Sequence, residues 1–456
     1  MSLKNIISSR NHSNLFNLLN FKTINIGYSS FCIGILLLVS APFISVIFLI
    51  ISFIISTIKN KSIYFEDKLN LFLLIISTIL VISSAFNFSN SLVTYNKFQS
   101  LDSFAGLGNY LPLFWVFWAA QQYLKTSKRR RKIAILFISG NIPLFISQIL
   151  QHFNYFFEFN TPLKTLNGSV TWFLKDSPDL YGYAGLFSNA NYLAAWLMII
   201  LPFSIATLIE KPKNFRNFCI SFIFLVSISA SLILSNSRMA LLSIPIHLTL
   251  LFTYKLFIIL MLSFLLLSFF ILLDFFLLKI FSSLLVILPF NFNETIELEP
   301  IINNFINTPR FSIWIDSLKF ISKKPFFGWG SSTYPEVYEF LGSRTNITHA
   351  HNLPIEIAYN YGILPSLLLI IFFLFILIKS SLIEIKERKN EFKSKEKKSY
   401  IIFNRAWISS AIVLGISQLV DIQYYDLRIS IGIWIILGGL RAFILEKGDN
   451  FKKEVN

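Results

Sequence analysis

An all-α, polytopic membrane bundle of about 12 transmembrane helices with a large outer loop is the architecture this sequence predicts, and three features predict it. Hydrophobic residues fill 54% of the 456 positions and charged residues 14%, where a soluble domain carries roughly 25% charged residues. Apolar runs of bilayer-crossing length, about 20 residues each, recur along the chain. Most of the 40 Lys and Arg sit in alternate loops, as the positive-inside bias of membrane proteins requires.

The first 23 residues lack a short apolar core followed by a small-residue cleavage site, so they read as a retained cytoplasmic tail. The run from Ile26 to Thr57 is too long for one crossing and holds Ala41-Pro42 at its middle, which predicts two short helices, 27–40 and 42–58. Further spans are expected at 69–87, 105–124, 132–151, 183–208, 216–234, 237–253 and 255–275, then at 353–378, 402–420 and 428–446. This divides the chain into N-terminal membrane helices (1–275), a periplasmic loop with short helices (276–352), and C-terminal membrane helices with a cytoplasmic tail (353–456).

The net charge of +16 does not mark a nucleic-acid binder, because the basic residues are dispersed over many short loops. The runs KTSKRRRK (125–132) and KERKNEFKSKEKK (386–398) read as cytoplasmic loops, the second a solvated segment that touches anionic headgroups. Cys32 and Cys219 lie in separate apolar runs and support neither a disulfide framework nor a metal site.

One stretch departs from this apolar pattern. From Thr308 to Pro365 the chain carries an Arg, a Lys pair, a Gly-Trp-Gly turn and a His-Ala-His-Asn cluster before entering the next apolar run. Ionisable groups at a membrane boundary are expensive and therefore point to function. Thr308 and Pro309 form a helix start, and Phe311, Trp314, Ile315 and Leu318 recur at helical spacing, predicting an amphipathic helix that ends at Lys323, Lys324 and Pro325.

Candidate chemistry concentrates on the outer side. Arg238, in SNSRMALLS, either snorkels to the interface or binds phosphate; Arg310 either decorates a surface helix or supplies a second guanidinium. Two Arg from different elements suit a pyrophosphate, since guanidinium forks bind phosphate oxygens bidentately and keep their charge. His351 reads as an interfacial histidine, as half of a His-x-His metal pair with His349, or as a general base with a pKa suited to a hydroxyl proton. The sequence places no Asp, Glu or Cys at ligand spacing beside the pair, which counts against metal. His349 and Asn352 are placed to orient His351, with Glu356 one turn further in behind them. Asn189 and Asn191 open a span, where Asn commonly bonds a neighbouring helix. Asp421, Asp426 and Arg428 are expected to pair with one another.

At these residues the chain resembles the O-antigen ligase and O-antigen polymerase superfamily. His351-Asn352, nine residues and Gly362 resemble its His-Asn-x9-Gly signature; KPFFGWG (324–330) is similar to its Pro-x-x-Gly-x-Gly element, and Arg310 with Trp314 to its Arg-x-x-x-Trp helix start. SNSRMALL and FSNANYLA resemble its Ser-Arg and Asn-containing spans, while Pro365 departs from the residue usual three positions after the Gly. The resemblance implies a metal-independent, inverting glycosyltransferase of the bacterial inner membrane, with no cofactor. Its donor would be a glycan on undecaprenyl pyrophosphate, its acceptor lipid A-core or another glycan, and its site would face the periplasm. Carried over, Arg238 and Arg310 hold the pyrophosphate and His351 deprotonates the acceptor hydroxyl. His349, Asn352, Glu356, Asn191 and Trp314 line or support the substrate site. The alternative is a transporter of a small anion such as bicarbonate, for which His247 and Asp274 are the ionisable candidates within spans.

Overall fold

The structure is a computed structural model that describes residues 25–94, 102–153, 182–210, 214–252, 262, 266, 309–342, 347–391 and 398–455. Among these the chain is helical, with no strand. The first apolar run breaks as the Ala41-Pro42 step predicts, into α1 (Asn25–Leu37) and α2 (Pro42–Glu66). There follow α3 (Lys68–Thr94), α4 (Leu111–Gln121), α5 (Ser127–Ser139), α6 (Ile142–His152), α7 (Ala190–Ile209), α8 (Phe215–Leu234) and α9 (Arg238–Phe252). The C-terminal half holds α10 (Pro309–Lys323), α11 (Tyr334–Gly342), α12 (Leu353–Tyr361), α13 (Ile363–Glu391), α14 (Lys398–Ser417) and α15 (Leu427–Val455).

Seven helical stretches among the described residues are long and apolar enough to cross a membrane, with α5 and α6 counted as one, and α1, α9 and α14 are shorter apolar helices. Two expectations shift. The span expected at 105–124 narrows to the 11-residue α4, shorter than a crossing. The span expected at 353–378 starts later, because Gly362 separates α12 from α13. The span expected at 255–275, apart from Leu262 and Leu266, lies outside the described residues, as do the loop part 276–308 and the Thr308 cap.

Two helices form the interior. Most residues of α7 and α15 are buried among other helices, whereas few of α8 are, leaving its outer face for lipid. On α15, Gly432 lies against Trp196 and Gly438 against the Phe117 carbonyl, so small residues bring the helix close to α7 and α4.

The two ends of the bundle are fixed differently. At one end the basic run of α5 meets acids from other helices. Arg130 Nη2 lies 2.5 Å from Glu446 of α15, and Arg131 bonds Glu210 bidentately after α7. Arg405 with Glu384, Arg441 with Asp67 and Lys447 with Glu387 extend the set. At the other end, loops are joined by backbone groups. Arg428 reaches the Leu186 carbonyl, Tyr183 N–H donates to the Leu234 carbonyl, Leu353 N–H to the Gln418 carbonyl and Tyr424 OH to the Asn109 carbonyl. The loops after α3, α8 and α14 and before α4, α7 and α12 therefore share one end, and the polar stretch sits there.

Candidate functional site

The polar stretch folds as two segments that complete each other's backbone. α12 starts at Asn352, whose side chain accepts the Ile355 N–H, with Pro354 in the first turn. It ends at Gly362, where φ is 97° and an added Cβ would lie 2.0 Å from the Phe326 carbonyl oxygen, so only glycine fits. The KPFFGWG segment caps this end. Trp329 N–H donates to the Tyr359 carbonyl (2.7 Å), Gly330 N–H to the Asn360 carbonyl (3.0 Å), and Ile363 N–H returns to the Pro325 carbonyl (2.8 Å). Ser83 Oγ and Asn87 Nδ2 of α3 donate to the Phe327 carbonyl and pin the segment to the bundle. The two motifs are thus physical partners, and the glycines serve the close approach of backbones.

The His cluster lies just before α12. His351 takes φ +50°, a left-handed backbone that costs a non-glycine residue about 1–2 kcal/mol. That conformation is held by its surroundings. Asn352 Nδ2 donates to the Leu419 carbonyl, and Leu353 N–H bonds Gln418. Glu356 is buried beneath the loop and accepts the Ala350 N–H (2.8 Å), Asn360 Nδ2 (3.3 Å) and Tyr425 OH (3.2 Å). Burial pushes its carboxyl up, and these three donors pull it back in part.

Asp421, in the α14–α15 connection, completes the cluster. His351 Nδ1 lies 2.9 Å from Asp421 Oδ1, and His349 Nε2 lies 4.0 Å from the same oxygen. The two imidazoles are 4.1 Å apart between centroids, and His349 Nδ1 meets Thr348 Oγ1 at 2.8 Å. Burial, then the charge of His351, pushes His349 down to about 4 against the pull of Asp421. Burial alone would raise Asp421, but the hydrogen bond and charge of His351, the charge of Arg310 and the Ile422 N–H hold it below the usual carboxylate range.

This corrects two sequence expectations. Asp421 does not pair with Arg428, which instead binds Asp426 through two nitrogens and stacks on Phe187. A carboxylate does stand beside the His pair, supplied from 70 residues further on, where spacing along the chain carries no signal.

The remaining candidates divide. Arg310 is exposed at the start of α10, and its charge reaches Asp421. Trp314, one turn on, packs against Phe311, and its buried Nε1 has no partner among the described residues. Arg238 is exposed at the start of α9 and forms no described contact with the His351 cluster. Asn191 is exposed in the first turn of α7, while Asn189 caps that helix through the Tyr192 N–H. His247 is buried with Nδ1 2.7 Å from Ser409 Oγ, and Asp274 lies outside the described residues, so nothing here supports the anion-transport alternative. Lys324 lies over the Trp329 ring at 4.1 Å.

Residues 222–373 match the family described as O-antigen ligase. The matched segment includes Arg238, Arg310, His349, His351 and Glu356; Asp421 and Asn191 fall outside it. No curated protein matches the chain.

Proposed function

We propose, from the match of residues 222–373 to the family described as O-antigen ligase, that this chain is a membrane protein of glycan processing that transfers a glycan from undecaprenyl pyrophosphate to a sugar hydroxyl. It acts as ligase or polymerase at the periplasmic face of a bacterial inner membrane, and its acceptor is lipid A-core or another lipid-linked glycan. The observation that carries the reading is the 2.9 Å contact between His351 and Asp421 at the polar end of an apolar bundle.

With its Nδ1–H donated to Asp421, His351 keeps the Nε2 lone pair free. Nε2 takes the proton of the acceptor hydroxyl as the oxygen attacks the anomeric carbon. The bond from that carbon to the pyrophosphate oxygen breaks on the opposite face, the anomeric centre inverts, and the electron pair leaves on the diphosphate. Asp421 stabilises the imidazolium that forms, as an orienting carboxylate does in a hydrolase triad. Arg310 supplies positive charge beside this dyad, and Arg238 is the second guanidinium for the departing diphosphate. The spans supply a lipid-facing surface for the polyprenyl tail, so the activated donor arrives from the membrane.

Glu356 and Asn352 act through the loop they hold, and His349 is a neutral neighbour of the base. The test is deletion of the gene followed by electrophoresis of lipopolysaccharide. Bare core with accumulated lipid-linked polymer marks a ligase, and core bearing one repeat marks a polymerase. An unchanged polysaccharide profile overturns the reading.

A further inference from the structure

His349, His351 and Asp421 form a cluster of which the transfer chemistry uses only His351 and Asp421. One nitrogen from each imidazole and one oxygen of Asp421 lie within 4.8 Å of one another. A tetrahedral Zn2+ with ligand bonds of about 2.0–2.1 Å sets its ligand atoms roughly 3.3 Å apart. The observed separations of 2.9 Å (His351–Asp421) and 4.0 Å (His349–Asp421) bracket that value. Thr348 Oγ1 on His349 Nδ1 fixes that ring with Nε2 turned toward Asp421, the outer support that metal-binding imidazoles commonly have. Each of the three side chains is part-exposed, so a cation can enter from the surface.

From this geometry we propose that His349, His351 and Asp421 bind a borderline divalent cation of the Zn2+ class at a three-ligand, open site. Two imidazoles and one carboxylate favour Zn2+ over Mg2+ or Ca2+, which take oxygen ligands. The binding itself does not depend on what His351 does in catalysis. Its consequence rests on the reading above. His351 Nδ1 either donates its proton to Asp421 or gives its lone pair to the metal. In the metal-bound form the proton moves to Nε2, which then cannot accept one from a hydroxyl. Zn2+ and glycan transfer are therefore mutually exclusive on this residue. Arg310, whose charge acts on Asp421, opposes the cation and weakens its binding.

The test is equilibrium binding of ZnCl2 to the tag-free full-length chain in detergent micelles, followed by competition with a chromophoric chelator and by X-ray absorption at the zinc edge. One ion per chain with two imidazole ligands is expected, with MgCl2 failing to compete. Asp421→Asn and His349→Gln each weaken binding by roughly tenfold or more, and the surface change Arg310→Gln tightens it several-fold. Absence of binding, or binding undiminished in Asp421→Asn and His349→Gln together, overturns the site. Saturation with Zn2+ abolishes transfer. A chain that binds Zn2+ through these ligands and still transfers at full rate keeps the metal site but refutes His351 as the base.

Discussion

His351 Nδ1 lies 2.9 Å from Asp421 Oδ1, across 70 residues of sequence and between two separate loops at the polar end of the bundle. Asp421→Asn keeps the shape of the pair but reverses the proton arrangement, because an amide NH2 facing Nδ1 selects the tautomer with the proton on Nε2. Transfer by this variant is predicted to fall by about 10²–10⁴, the range of positioned acid–base catalysis, with membrane insertion unchanged. Glycan transfer by purified protein, normalised to folded protein by size exclusion, checks it.

Glu356 supports both halves of this pair at once, since it takes the Ala350 N–H beside His351 and the Tyr425 OH four residues after Asp421. Glu356→Ala leaves a buried N–H without an acceptor, a loss of about 1–3 kcal/mol. It is predicted to speed hydrogen exchange in 347–353 and to reduce transfer. Glu356→Gln keeps one carbonyl acceptor for Ala350 and is predicted to recover most of the protection. Equal exchange in both variants would remove Glu356 from this role.

Gly362 and Gly108 offer a paired control. A methyl at Gly362 meets the Phe326 carbonyl, while a methyl at Gly108 meets nothing within 4 Å. Gly362→Ala is predicted to lower stability by several kcal/mol, on the order of 3 or more, and to cut the yield of folded protein. Gly108→Ala is predicted to fall within about 0.5 kcal/mol of wild type. Thermal unfolding of both in the same detergent decides.

Much of the fold was legible because membrane helices write themselves as length and apolarity. The Pro42 break, the α10 start at Pro309 and its stop at Lys323, and the spans around α7 and α8 were all visible in the sequence. The break at Gly362 was harder, since Leu353 to Ile378 is mostly apolar and the close approach of the Phe326 backbone, brought in from another segment, leaves no mark in the local sequence. At the site, His351, Arg310 and Glu356 announced themselves as polar groups at an apolar boundary. Asp421 did not, because Asp426 and Arg428 beside it offered a nearer and sufficient partnership. Asn189 and Asn191, two positions apart, divide between them: Asn189 holds the cap and Asn191 is exposed in the first turn of α7.

Arg130 is buried at the opposite end, bonded to Glu446, Ser127 and the Leu124 carbonyl. Arg130→Met leaves Glu446 without its cation and is predicted to cost about 3 kcal/mol, lowering the unfolding temperature. Arg130→Met with Glu446→Leu is predicted to recover most of the loss, since an apolar pair needs no compensating charge. A double variant as unstable as the single would contradict this account of the pair.

The central claim is that His351 is the base in glycan transfer. Liposomes holding the purified chain, a polyprenyl-pyrophosphate-linked oligosaccharide and a glycan acceptor test it most directly, with wild type run beside His351→Ala. The account predicts transfer by wild type and a rate at least about 100-fold lower in folded His351→Ala. Transfer by His351→Ala at the wild-type rate would contradict it.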